Sequence, residues 1–210
     1  MAITVALQHH TSYRYDRHVK LSPQVIRLRP AVHSRTPILA YSLNIQPEKH
    51  FINWQQDPFG NYMARVVFPE KVQEFIIDVE VIASLVVINP FDFFLEEYAE
   101  SYPFVYEASL AKELTPYMEI KESGALLMKL VEKVKQFEND LTINYLVNVN
   151  QTLNQELNYT LRMEHGIQTC EETLEKSSGS CRDYAWVLIQ MLRHCGLAAR
   201  FVSGYSVCTE

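Results

Sequence analysis

Read from its N-terminus, the chain first sets short apolar runs between polar turns and only later adopts helical spacing. Thr4–Leu7, Val25–Leu28, Ile38–Ile45, Tyr62–Phe68 and Glu74–Val81 are rich in β-branched and aromatic residues, which suit a pleated, half-buried surface. Prolines and the Asp57-Pro-Phe-Gly-Asn61 sequence punctuate these runs, as tight connections between antiparallel strands require. This part of the chain predicts an all-β sandwich-like domain, with its first strand at the N-terminus.

Beyond residue 105 the period changes. Ala125, Leu127, Leu130, Val131, Val134 and Phe137 recur at helical steps, with Lys129, Glu132, Lys133 and Lys135 on the wet side, which predicts an amphipathic helix. A second helical pattern uses Leu146, Leu153 and Leu157, and a short extended piece follows at Tyr159–Leu161. Thr169 with Glu172 three residues later is a capping-box pattern, opening a short helix that ends near Ser177-Ser178-Gly179. The Ser177–Ser180 loop then delivers a helix marked by Ala185, Leu188, Ile189 and Leu192 and stopped by Gly196. Ala199–Tyr205 alternates as a strand. Composition shifts along the same line: all nine prolines fall at or before Pro116, and all four cysteines lie beyond residue 169. The expected organisation is a β-rich domain over 1–105 and an α+β domain over 106–210.

Hydrophobic residues make up 48% and charged residues 21% of the chain, which excludes general disorder. The net charge of -6, from 19 basic and 25 acidic residues, offers no positive field for phosphates or anionic lipid. Neither nucleic acid nor a membrane surface is an expected partner. The N-terminus lacks a basic segment followed by a long apolar run, and the apolar stretch Val79–Ile88 is interrupted by Glu80 and Ser84, far short of the roughly 20 residues that span a bilayer. These features predict a cytoplasmic protein with reduced thiols.

Among the cysteines, Cys181 has the context of a nucleophile. It opens a helix after a serine- and glycine-rich loop, where unpaired N–H groups and the positive end of the dipole favour a thiolate. Loop N–H groups, that of Cys181 included, are candidate oxyanion donors. Asp183 is placed to complement the dipole and to pair with Arg182 or a remote cation. Cys195 reads as a core residue, and Cys170 and Cys208 as structural or incidental, since a free cysteine is most often a small buried hydrophobe. Spacings of 11, 14 and 13 residues between the cysteines contain no Cys-x-x-Cys knuckle, so no metal or cofactor is expected. His9 and His10 fit solvated strand positions.

The run from Ser178 to Tyr205, with Gly179-Ser-Cys181-Arg-Asp-Tyr-Ala-Trp at its start, resembles the nucleophile motif of the transglutaminase-like superfamily of cysteine enzymes. Gly166–Leu174 is similar to the segment before that motif in the bacterial branch. Tyr13-Arg-Tyr15, Leu21–Pro30, Asp57–Asn61 and Asn89–Phe94 resemble the β-rich N-terminal region of bacterial transglutaminase-like proteins. The resemblance implies a papain-like α+β core in which the helix carrying Cys181 packs on an antiparallel sheet. It also implies a cysteine peptidase or amidase acting on a peptide or amide substrate through a thioester acyl-enzyme, with acyl transfer to an amine as the alternative outcome.

In that family a histidine and an aspartate follow the cysteine on later strands. Here 29 residues follow Cys181 and hold one histidine, His194. Thirteen helical positions on, it stands roughly 20 Å away. His9, His10, His18, His33, His50 and His165 precede the cysteine, and none matches the family's base. The expectation is that the triad histidine and aspartate lie beyond residue 210 and that these 210 residues alone turn over little or no substrate. A non-catalytic interaction module is the alternative.

Overall fold

The alternating runs of the first half pair with one another across long sequence distances. The computed structural model describes residues 3–87, 89, 93–205 and 207; Pro90–Asp92 of the family-like segment and Cys208 lie outside the described residues. The chain divides into two units, Met1–Phe93 and Phe94–Glu210.

In the first unit, Ile3–Val19 (β1), Gln24–Ile26 (β2), Ile38–Gln46 (β3), Phe51–Gln56 (β4), Tyr62–Val67 (β5) and Val72–Leu85 (β6) form two three-stranded antiparallel sheets, ordered β1-β6-β3 and β2-β5-β4. The alternation of β6 explains its central place: Phe75, Ile77, Val79, Val81 and Ala83 are all buried, since side chains two apart share a face. They meet Ile45 of β3 and Ile26, Ala64 and Val66 of the other sheet in a single core, which makes the unit a sandwich. β4 is absent from the expected strands: all six of its residues are exposed, and its alternation is confined to Ile52-Asn53-Trp54-Gln55. Its pairing with β5 follows from the intervening turn, where the Asp57 carboxylate accepts the Phe59 and Asn61 N–H groups at 3.0 and 2.8 Å and Gly60 takes a φ of 81°.

The second unit is mostly helical. After a short 3-10 turn at Glu97–Ala99 come Ser101–Tyr102 (β7), Ala108–Met118 (α1), Ala125–Lys135 (α2), Asp140–Leu141 (β8), Thr142–Glu156 (α3), Asn158–Tyr159 (β9), Cys170–Lys176 (α4), Ser178–Gly179 (β10) and Cys181–His194 (α5). Pro116 cannot donate to the Lys112 carbonyl, and the Thr115 hydroxyl donates there instead at 2.9 Å. α2 buries Leu127, Leu130, Val131 and Val134, the face its spacing predicts. Of the expected apolar positions of α3 and its end, Leu153 and Leu157 are buried but Leu146 is exposed, and Tyr145 and Val149 are buried beside Leu153. The buried side chains close a core with Cys170, Val187 and Met191, and Tyr102 stacks on Tyr145 at 3.8 Å between ring centroids.

The architecture is mixed α+β, as expected, but the sheets in the second unit are small. Among the described residues they are two two-stranded pairs, β7–β8 antiparallel and β9–β10 parallel, not one antiparallel sheet. The expected strand at Ala199–Tyr205 does not form. Its backbone bonds elsewhere: the Ala199 N–H donates to the Tyr117 carbonyl at 2.9 Å, and the Arg193 guanidinium donates to the Ala199 carbonyl at 3.1 and 2.8 Å.

Candidate active site

The segment before Cys181 is a held strand, not a free loop. Ser177 closes α4 in the left-handed conformation, with a φ of 47°, and Ser178–Gly179 then pairs with Asn158–Tyr159. Glycine is required at 179 by a close approach: a Cβ there would lie 2.8 Å from the Asp183 Cβ and 3.3 Å from Thr173 Cγ2. Ser180 follows as the N-cap of α5, in extended conformation.

Asp183 locks this turn from inside. Its side chain is 0% exposed, and it accepts the Ser180 N–H and hydroxyl, each at 2.8 Å, and the Gln168 N–H at 2.8 Å. Arg162 adds two further bonds from Nε and Nη2, both at 3.0 Å. Burial opposes ionisation of Asp183, but the hydrogen bonds from Arg162, Gln168 and Ser180 outweigh it and hold the carboxyl well below the usual carboxylate range. The remote cation expected for Asp183 is thus Arg162, while Arg182 reaches only the Glu164 carbonyl at 3.5 Å. Sequence reasoning gave Arg162 and Gln168 no role. The spacing Ser180-x-x-Asp183 is itself a helix-start signal, but nothing local marks the two donors that come from before α4.

Cys181 sits on the outer side of this turn. It is exposed, whereas Cys170 is buried and Cys195 is partly buried. Its side chain has no hydrogen-bond partner among the described residues. The N–H groups of Cys181 and Arg182 are likewise without an acceptor there, whereas those of Asp183 and Tyr184 bond the Ser180 carbonyl at 3.0 and 3.1 Å. Because Asp183 consumes the Ser180 N–H, the donors left at this helix start are those of Cys181 and Arg182. Burial, with the Glu122 charge beside it, pushes the Cys170 thiol up, and burial does the same to Cys195. Both stay protonated and shielded.

Among the described residues no histidine is hydrogen-bonded to the Cys181 thiol. His194 lies at the other end of α5, its Nε2 2.8 Å from the Glu122 carbonyl. There it helps fasten the segment 119–122, which also receives bonds from Arg193 to the Glu119 carbonyl and from Trp186 to the Glu122 carboxylate. His165 is exposed in the loop that carries Arg162 and Gln168 and makes no hydrogen bond or ion pair among the described residues. The remaining histidines belong to the first unit. Among the described residues no cluster of three or more His, Cys, Asp or Glu side chains is arranged to hold a metal ion, and no helix is long and apolar enough to cross a membrane.

Comparison with known proteins places both units. Residues 5–84 match the bacterial transglutaminase-like N-terminal region, and residues 128–209 match the transglutaminase-like superfamily. A crystal structure from Cytophaga hutchinsonii, described as "a Putative Cysteine Protease", is similar with a TM-score of 0.63 at 15% identity, covering 93% of this chain. At that identity the likeness is one of fold. The chain spans 65% of the length of that structure. No curated protein shows a significant match.

Proposed function

For a chain that belongs to the transglutaminase-like superfamily, we propose that Cys181 is the nucleophile of a cysteine peptidase or amidase and forms a thioester acyl-enzyme. One observation carries this reading: the single exposed thiol among the described cysteines stands at the first residue of α5 beside two unpaired backbone N–H groups. The Cys181 sulfur attacks the carbonyl carbon of an amide, and the oxyanion that forms is met by the Cys181 and Arg182 N–H groups. Collapse breaks the C–N bond, and the amine leaves with a proton from a histidine. Water then attacks the thioester, releasing the acid and the thiol. That histidine and its aspartate partner are roles the superfamily resemblance implies, and Asp183 positions the turn.

Alkylation mapping tests the assignment of the nucleophile. With substoichiometric iodoacetamide at neutral pH, peptide mass spectrometry is expected to find Cys181 modified at least about tenfold faster than Cys170 or Cys195, because only the exposed thiol escapes burial. Equal modification of the three, or preferential modification of Cys195, defeats the assignment.

A further inference from the structure

The sandwich of the first unit is open at one end, and what fills the opening is a cation. In the ladder between β4 and β5, Ile52 stands opposite Val66 and Trp54 opposite Ala64, so each shares a sheet face with its partner. Val66 and Ala64 are wholly buried, yet Ile52 and Trp54 on the same face remain 37% and 43% exposed. The other sheet does not cover them. Tyr41 of β3 meets the Trp54 ring edge-on at 6.2 Å, and beside this contact a cleft of about 730 Å³ opens between the edges of the two sheets.

Arg29 lies in this cleft, its guanidinium carbon 4.3 Å from the ring centroid of Tyr62, 5.3 Å from that of Trp54 and 5.5 Å from that of Tyr41. Such a stack holds the planar group in place while leaving its N–H donors free. No carboxylate among the described residues pairs with it, although neighbouring Arg27 has Asp57 at 4.0 Å. Arg29 is the one charged side chain lining the cleft, in a chain whose net charge is -6. The third feature is the strand itself. β4 ends its sheet, and among the described residues nothing bonds the main-chain groups along its outer edge.

We propose that this edge and cleft form a docking site for an extended acidic peptide. The peptide adds as a strand along β4, as open sheet edges accept extended chains. One of its apolar side chains enters the cleft against Ile52 and Trp54, and a carboxylate side chain takes the Arg29 fork. The spaced amides of a peptide match the free edge of β4, which a carboxylated sugar does not. The site lies within the first unit and stands independently of the chemistry of Cys181.

The test is calorimetric titration of the 210-residue chain with four probes: the capped pentapeptide Val-Thr-Glu-Val-Thr, its Gln counterpart, the Glu peptide N-methylated at alternate amides, and a glucuronate tetrasaccharide. The Glu peptide is expected to bind, and the Gln peptide to bind about tenfold more weakly, the weight of one charge-assisted contact. N-methylation is expected to abolish binding. Arg29→Gln should remove the preference for Glu, and Arg29→Lys, which keeps the charge, should retain it. The site is overturned if the Glu peptide fails to bind at millimolar concentration, if Glu and Gln peptides bind alike, or if Arg29→Gln leaves the preference intact. Binding of the tetrasaccharide in place of the peptide overturns it too. The same samples report Cys181 alkylation separately, so failure at this site and failure of the cysteine assignment are distinguishable.

Discussion

Cys181 and Asp183 stand two positions apart on α5, and the turn gives them opposite tasks: the thiol is exposed and the carboxylate is fully buried among five hydrogen bonds. A carboxylate so occupied fastens backbone and cannot act on a neighbouring thiol. Replacing it strands the Arg162 charge and frees the Ser180 and Gln168 N–H groups, so Asp183→Ala is expected to cost roughly 3 kcal/mol in urea unfolding. It should also bring Cys181 alkylation down to the rate of the unfolded chain. Loss of stability without loss of the Cys181 rate advantage would separate the turn from reactivity. The pH dependence follows in sign. Because the folded carboxyl is held below its unfolded value of about 3.9, its contribution is whole above that pH and is lost as pH falls toward the folded value. Stability is therefore expected to drop progressively below about pH 4, and the drop should be smaller in Asp183→Ala. Gly179→Ala adds an independent check, since its Cβ would press on Asp183 at 2.8 Å.

At the level of elements, those fixed by local chemistry were legible and those fixed by partners were not. The start of α4 is an example of the first kind: the Thr169 hydroxyl accepts the Glu172 N–H at 3.1 Å and the Glu172 carboxylate accepts the Thr169 N–H at 3.2 Å. Thr169→Ala is expected to cost about 1 kcal/mol, with faster amide exchange confined to the first turn of α4. α2 and the stop of α5 at Gly196, whose φ is 74°, were legible for the same local reasons. β4 was not, because its alternation is confined to the four residues Ile52–Gln55 and none of its side chains is buried. The expected strand at 199–205 failed for the converse reason, since alternation proposes a strand but Tyr117 and Arg193 had already taken the Ala199 backbone groups. The apolar face of α3 was legible in Leu153 and Leu157, which are buried, but not in Leu146, which is exposed while the adjacent Tyr145 is buried with its ring against Tyr102. At the candidate site, Cys181 could be singled out from its place at a helix start, whereas Arg162 and Gln168 reach Asp183 from across α4 and leave no mark in local spacing.

For the molecule as a whole, the two units carry separate cores, one of β-strand side chains around Val66 and Val79 and one of helical side chains around Leu127 and Tyr145. Thermal unfolding is accordingly expected to resolve two transitions. Phe75→Ala should lower one, by roughly 3 to 5 kcal/mol, and Leu127→Ala the other, by roughly 2 to 5 kcal/mol. If both substitutions shift a single common transition, the units do not unfold independently. The chemistry proposed for the second unit rests on Cys181 acting as an acyl acceptor, and acetylation by p-nitrophenyl acetate examines that step alone, because the thiol gives its proton to solvent and p-nitrophenolate leaves without one. The purified chain is expected to acquire one acetyl thioester on Cys181 faster than the urea-unfolded chain does, and to lose the adduct in Cys181→Ser. Acetylation of Cys181 no faster than in the unfolded chain, or a thioester found instead on Cys170 or Cys195, would contradict the account.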